Sequence, residues 1–340
     1  ATAEPRTLEI SAATDRLTIS DVVVGEVWIN SGQSNSGYVH SACLGFMEEQ
    51  PQAHLPAIRY FAHVRTGSPW PQRRDVGSWV VVSPETAGSI SGMGYWFAKT
   101  IHTKQNVPVG IIEANQGGSS ILLWMSDAAL ASSPRFATLA AERRNFLKRK
   151  ITELPLAEET VRTWVAAART NATLARPLPP LPIDAGPRGP FSKPLSMRGC
   201  LLYNGMIHPM IGFGVRGVLW NQGEADTGQT QGPLYGDLLA AMVADWRHSW
   251  GDELAFYVVQ MPAVKGRPGL TDMWRSQTQA VANIPNSGMI VSNDISMAGS
   301  PEPVAIHPPD KRSVGERLAR LALVRTYGEQ GMVDASPMML

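Results

Sequence analysis

The chain has 340 residues, 44% apolar and 17% charged, with 30 basic against 29 acidic side chains and a net charge of +1. Such a chain can bury a large core and is not disordered, and no block of like charge marks a nucleic-acid groove or a membrane surface. No run reaches the roughly 18 apolar residues of a membrane span, no charged start followed by an apolar stretch reads as a signal peptide, and the seven histidines show no metal-ligand spacing.

Residues 1–24 carry two alternating segments, 7–10 and 16–20, which predict a β-hairpin that packs on the main body or belongs to a larger β-domain. The apolar run from Val22 through Ile29 reads as one buried strand. It stops at the turn formers Asn30, Ser31, Gly32 and Gln33, which places Ser34 between that strand and the N-terminus of a following helix. Residues 41–85, rich in Pro, Gln and Gly, read as a long irregular excursion with one short strand at 57–62. A helix over 95–102 and a buried strand over 107–114 follow, ending at Asn115-Gln116-Gly117-Gly118. Residues 127–170 have helical spacing interrupted by Pro134 and Pro155, and the proline-rich stretch 176–194 reads as an extended wrap or lid. Further strands are predicted at 217–221, 256–260 and 288–292, with helices over 235–248, 274–283 and 310–322. Alternating strands and helices predict an α/β fold with a doubly wound parallel sheet.

Strand C-termini share one edge of a parallel sheet, so the polar loops that follow them can converge on one crevice. Those loops carry Ser34, the turn Gly117-Gly118, the run Asn221-Gln222-Gly223-Glu224, and Asp294 with His307 beyond it. A serine hydroxyl attacks a carbonyl when a base takes its proton, and His307 suits that role. A Gly-Gly turn exposes backbone N–H groups and an amide side chain adds a donor, which together suit an oxyanion. Each feature alone is weak. A serine after a strand commonly caps a helix, and Glu224 suits the first turn of a helix on electrostatic grounds alone.

Together these residues resemble a known family. Gly32-Gln33-Ser34-Asn35, Gly117-Gly118-Ser119 with Trp124, Asn221-Gln222-Gly223-Glu224, and Ile306-His307-Pro308 with Lys311 and Gly315 resemble the SGNH hydrolases. Within them the chain is most similar to the sialate O-acetylesterase-like carbohydrate esterases, over roughly residues 20–330. The resemblance implies hydrolysis of acetyl esters on an oligo- or polysaccharide, with no metal or other cofactor, in a secreted or periplasmic setting. It implies Ser34 as nucleophile, His307 as base, and Ser34, Gly118 and Gln222 as oxyanion donors. Gln33, Asn35, Asn204, Glu224 and Trp124 are the candidates for substrate contact. Many relatives carry an aspartate two or three residues before the histidine, where this chain has Ala305 and Val304. Asp294 is the first choice for the triad acid, Glu224 and Glu302 are alternatives, and a serine–histidine dyad stays open. The expected division is a hairpin or linker over 1–20, a catalytic domain over 21–330 with loop excursions at 41–85 and 171–200, and a tail over 331–340. A catalytically silent glycan-binding module and a short-chain lipid or thioester hydrolase are the competing readings. Cys43 and Cys200 can pair or stay reduced.

Overall fold

The structure, a computed structural model, describes residues 2–13, 15–174, 199–228, 232–295 and 306–334. It holds two sheets. Strands β1 (Thr2–Ala12) and β2 (Asp15–Val24) form an antiparallel hairpin of their own, in which Leu8, Ile10, Leu17 and Ile19 are exposed. Its second strand runs to Val24, past the boundary expected at residue 20. The apolar run after Asp21 is therefore not one strand. It divides at Gly25, because Val24 pairs back onto Thr2 while Glu26 bonds to the Pro108 carbonyl in the other sheet.

The main sheet contains β3 (Glu26–Gly32), β4 (Leu55–His63), β5 (Gly77–Val82), β6 (Val109–Asn115), β7 (Gly217–Asn221), β8 (Ala255–Val259) and β9 (Ser287–Ile290). Their order is β5-β4-β6-β3-β7-β8-β9. Every neighbouring pair is parallel except β4 with β5. Residues 41–85 are thus no loop excursion, since they supply two strands on one side of the sheet. The missed strand β5, Gly77–Val82, is a short apolar run on the edge that follows the proline-, arginine- and glutamine-rich stretch 69–76.

Alternate side chains of the central strand feed two cores. Trp28 packs against Phe97 and Tyr257 on one face, and Ile29 lies with Ile112, Val218 and Trp220 on the other. Helices α2 (Gly92–Gln105) and α7 (Lys311–Arg325) cover the first face. The second is covered by α3 (Asp127–Ala131), α5 (Tyr235–Trp250) and α6 (Leu270–Asn283). A short α1 (Phe46–Glu49) and the long α4 (Ala137–Thr173) complete the set. The helix α4 runs through Pro155, where the sequence predicted an interruption. Proline removes one N–H from the ladder, and the good helix formers on both sides carry the helix across. The stretch 176–194 lies outside the described residues. Cys43 and Cys200 are free and buried.

Gly32 ends β3 with φ +130°, and a Cβ there would lie 2.1 Å from the Asn221 carbonyl oxygen. Gly45 has φ +77° but open space around it. Gly32→Ala is expected to cost about 2 kcal/mol or more, and Gly45→Ala about 1 kcal/mol or less. Urea unfolding of both variants measures the difference, and equal losses would show that β3 and β7 part easily at this edge.

Candidate active site

After β3 the chain builds β4, β5 and β6 on one side of it and then crosses to β7, β8 and β9 on the other. The order reverses beside β3, so the central strand is the topological switch point of the sheet. The crevice outside its carboxyl end is where open α/β sheets bind ligands. Ser34 lies there, partly exposed among buried neighbours. No long helix follows it: the chain makes one turn, closed by Gly37 N–H to the Gln33 carbonyl at 3.0 Å. Side chains hold this turn where a helix was expected. Asn30 Nδ2 and Ser91 Oγ both donate to the Ser36 carbonyl, at 3.2 and 2.6 Å, and Ser36 Oγ donates to Asn30 Oδ1 at 2.7 Å.

His307 reaches the same point from the loop before α7, its Nε2 2.8 Å from Ser34 Oγ. With the ring proton on Nδ1, Nε2 accepts from the hydroxyl, as a general base must. The ring stacks at 6.1 Å on Tyr38. Burial, and then the nearby Lys311 ammonium, hold the imidazole below its usual range and keep it neutral.

Asn35 ties the serine turn to the histidine loop. Its Nδ2 donates to the Ile306 carbonyl at 2.8 Å and to Glu224 Oε1 at 2.5 Å, while its Oδ1 accepts from Lys311 Nζ at 2.6 Å. Lys311 is 2% exposed. Burial pushes its ammonium down to about 8 against the pull of Cys43, Glu224 and Asp310, and Nζ stands 5.0 Å over the Tyr38 ring. Burial raises the Glu224 carboxyl, while Asn35, Lys311 and Arg267 act the other way. Charges out of water persist only when paired or hydrogen-bonded, and Asn35 is the bridge between these two.

Gly118 has φ +69° with open space beside it, and a Cβ on Gly117 would lie 3.7 Å from Ser34 Cβ. The Gly-Gly turn therefore stands against the serine. Among the described residues, the Ser34 and Gly118 N–H groups donate to no protein acceptor.

Other candidates are placed differently. Gln222 is not free to donate to an oxyanion, because its Nε2 lies 2.9 Å from the Ser119 carbonyl and 2.6 Å from Asp226, with Gln33 Oε1 at 3.2 Å. Gln33 is spent on the same loop, accepting from Ala225 N–H at 3.2 Å. Trp124 is fully buried, bonded to Ser119 and edge-on to Trp220. Asn204 is buried and donates to the Ser68 and Pro69 carbonyls. Asn35 and Glu224 are buried at 1% and 2% exposure and bond each other. All five proposed substrate contacts thus bond to protein groups, while Glu224 Oε2 is buried without a hydrogen-bond partner among the described residues. Asp294 is held by both guanidinium nitrogens of Arg317, at 2.7 and 2.5 Å, which holds its carboxyl below the usual range. It makes no bond to His307. Glu302 lies outside the described residues. Among the described residues, no group of three His, Cys, Asp or Glu side chains forms a metal site.

Two structural members of the site were not singled out from the sequence. Asp226 joins the second and third loops, accepting from Ser120 Oγ, Ile121 N–H and Gln222. Lys311 entered only as part of a motif. Its signal is a lysine in the first turn of an amphipathic helix, one turn after the histidine, on the face that the apolar residues bury.

The model of a family described as carbohydrate esterase, sialic acid-specific acetylesterase, matches residues 24–152 and 195–324. Sialate O-acetylesterase of Rattus norvegicus is 25% identical over 359 residues, covering 98% of this chain and 62% of that protein. The Homo sapiens sialate O-acetylesterase is 24% identical over 353 residues, covering 95% of this chain and 57% of that protein. The chain thus spans less than two thirds of the length of these relatives. The crystal structure of a carbohydrate acetylesterase from Xanthomonas citri is similar at a TM-score of 0.75 and 28% identity, over 98% of this chain and 64% of that one.

The electrostatics of the imidazole can be measured without any substrate. Titration of His307 by NMR is expected to give a pKa below the model-peptide value of about 6.5, and Lys311→Met is expected to raise it, since one of the two causes of the depression is removed. An unchanged value in the variant would show that burial acts alone.

Proposed function

The chain belongs to the sialic acid-specific acetylesterase family of carbohydrate esterases, and on that premise we propose that it removes acetyl groups from sugar hydroxyls through an acyl-enzyme on Ser34. The observation that carries the reading is the 2.8 Å contact between Ser34 Oγ and His307 Nε2 at the switch point. Ser34 Oγ attacks the acetyl carbonyl carbon and its proton passes to His307 Nε2. The carbonyl oxygen becomes an oxyanion held by the Ser34 and Gly118 N–H groups. The intermediate collapses with cleavage of the bond from the acyl carbon to the sugar oxygen. His307 protonates that oxygen and the deacetylated sugar leaves. Water, deprotonated by His307, then attacks the acetyl-serine, and acetate departs as Ser34 regains its proton.

In this scheme neither Asp294 nor Glu224 orients the imidazole, since the first is committed to Arg317 and the second to Asn35. The Asn35 bridge to the Ile306 carbonyl sets the position of the histidine loop instead. The competing readings differ in outcome: a binding module hydrolyses nothing, and a short-chain lipid or thioester hydrolase acts on simple short-chain esters or thioesters without a sugar.

Acetate release from p-nitrophenyl acetate and from acetylated polysaccharides tests the scheme. Ser34→Ala and His307→Ala are expected to lower kcat/KM by about 10³-fold or more. Asn35→Ala is expected to lower kcat by about 10–10²-fold through misplacement of the base. Asp294→Asn is expected to cost less than about tenfold, and a loss matching His307→Ala would return Asp294 to the triad. A wild type that releases no acetate would refute the esterase reading.

The base works only when neutral, so activity falls as pH drops through its pKa. With that pKa depressed, the acid limb of kcat/KM is expected below about pH 6.5, moving to higher pH in Lys311→Met. An acid limb well above that value would show that another group limits the rate.

A further inference from the structure

Behind the serine turn lies a carboxylate that the proposed reaction does not use. Glu113 sits on β6, directly across from Asn30 of β3. Its Oε2 accepts from Asn30 Nδ2 at 2.9 Å and from Asn115 Nδ2 at 2.7 Å, and its Oε1 accepts from Ser91 N–H at 3.2 Å. Asn30 and Ser91 are the two residues whose side chains donate to the Ser36 carbonyl. One carboxylate thus grips both of them, each oxygen fixing one. The turn is packed onto the same cluster, since a Cβ on Gly37 would lie 2.2 Å from Asn115 Oδ1. Helix α2 closes over the carboxylate at Gly94, where a Cβ would lie 3.1 Å from Oε1.

We propose that Glu113 is a positioning residue for the nucleophile: its carboxylate holds the Ser34 turn through Asn30 and Ser91, and the hold slackens when that carboxylate takes up a proton. The proposal rests on the esterase reading and deepens it. A carboxylate only accepts hydrogen bonds, whereas the acid and the amide carry hydrogens of their own. Every hydrogen-bond partner of Glu113 among the described residues is a donor, so a proton on either oxygen displaces one of them. Asn30 and Ser91 are not free to turn away. Asn30 Oδ1 accepts from Ser36 Oγ at 2.7 Å, and Ser91 Oγ caps α2 by accepting from Gly94 N–H at 3.3 Å. A change at Glu113 therefore reaches Ser36, two residues from Ser34. Burial pushes the Glu113 carboxyl up to about 7, against the pull of Ser91, Asn30, Asn115 and Arg65. The titratable and charged groups around it are the Tyr60 hydroxyl, the Arg65 guanidinium and the His63 imidazole, which has Asp75 3.1 Å away. From β3 and α2 it meets only Asn30, Ser91 and Gly94, which carry no charge.

The test follows kcat and KM for p-nitrophenyl acetate against pH in wild type, Glu113→Gln and Lys311→Met. The Ser91 and Gly37 amide signals are followed by NMR in the wild type without substrate. Ser91 N–H bonds Glu113 directly and reports its charge, and Gly37 N–H closes the serine turn. Both signals are expected to shift together near pH 7, and kcat to fall about 3–10-fold there, as a shallow step above the steep limb of His307. Glu113→Gln is expected to lower kcat about tenfold with KM little changed and to lose the step, while Lys311→Met moves the limb and leaves the step. A Gly37 signal that stays still while the Ser91 signal moves overturns the proposal, as does Glu113→Gln with wild-type kcat. If that variant does not fold, the wild-type step and the two amide signals decide the matter. If the wild type hydrolyses no ester, the esterase reading fails, and the amide signals still show whether Glu113 holds the turn.

Discussion

Asn35 makes the contacts on which the arrangement of the site depends. Its single amide receives a buried ammonium on one atom and gives its two hydrogens to a buried carboxylate and a main-chain carbonyl. From the turn after β3 it joins the loop after β7, through Glu224, to the end of the segment leading into α7 and that helix's first residue, through Ile306 and Lys311. Buried charged groups without such a bridge are costly, and removing a partner leaves an uncompensated charge. The cluster contributes geometry more than stability. It fixes Ile306, and through it His307, against the residue next to Ser34.

The sheet supplies the second constraint. Both faces of β3 are buried, so the only exit for its chemistry is the end of the strand. With β6 on one side and β7 on the other, the loops after all three strands meet there. Asp226 and Gln222 then fasten those loops to each other. The oxyanion reading therefore shrinks to two backbone donors. Gln222 stiffens the wall behind them.

The alternation of apolar runs with turns was enough to locate β7 and the other buried strands, since strands covered on both faces are continuously hydrophobic. Edge strand β5 was overlooked although Trp79-Val80-Val81-Val82 carries strand propensity, because the run is short and lies between polar and proline-rich stretches. That Ser34 and His307 reach one edge of the sheet was legible from loop position and motif, and the structure brings them within 2.8 Å. The partners of Asp294, Gln33, Trp124 and Asn204 were not: spacing shows which edge a residue reaches, and not which neighbour already occupies its hydrogen bonds. Arg317 lies 23 residues from Asp294, on a different element, and only the packed chain brings the two together.

The proposed nucleophile and its base lie 273 positions apart, one near the start of the sheet and the other beside the last helix. Helix α7 must therefore be seated on α2 before Ser34 meets a base. A partly folded chain with every strand in place but α7 undocked has no proton acceptor at the serine. In the proposed scheme reactivity thus requires α7 to be docked on α2, so the chemistry would report on that contact.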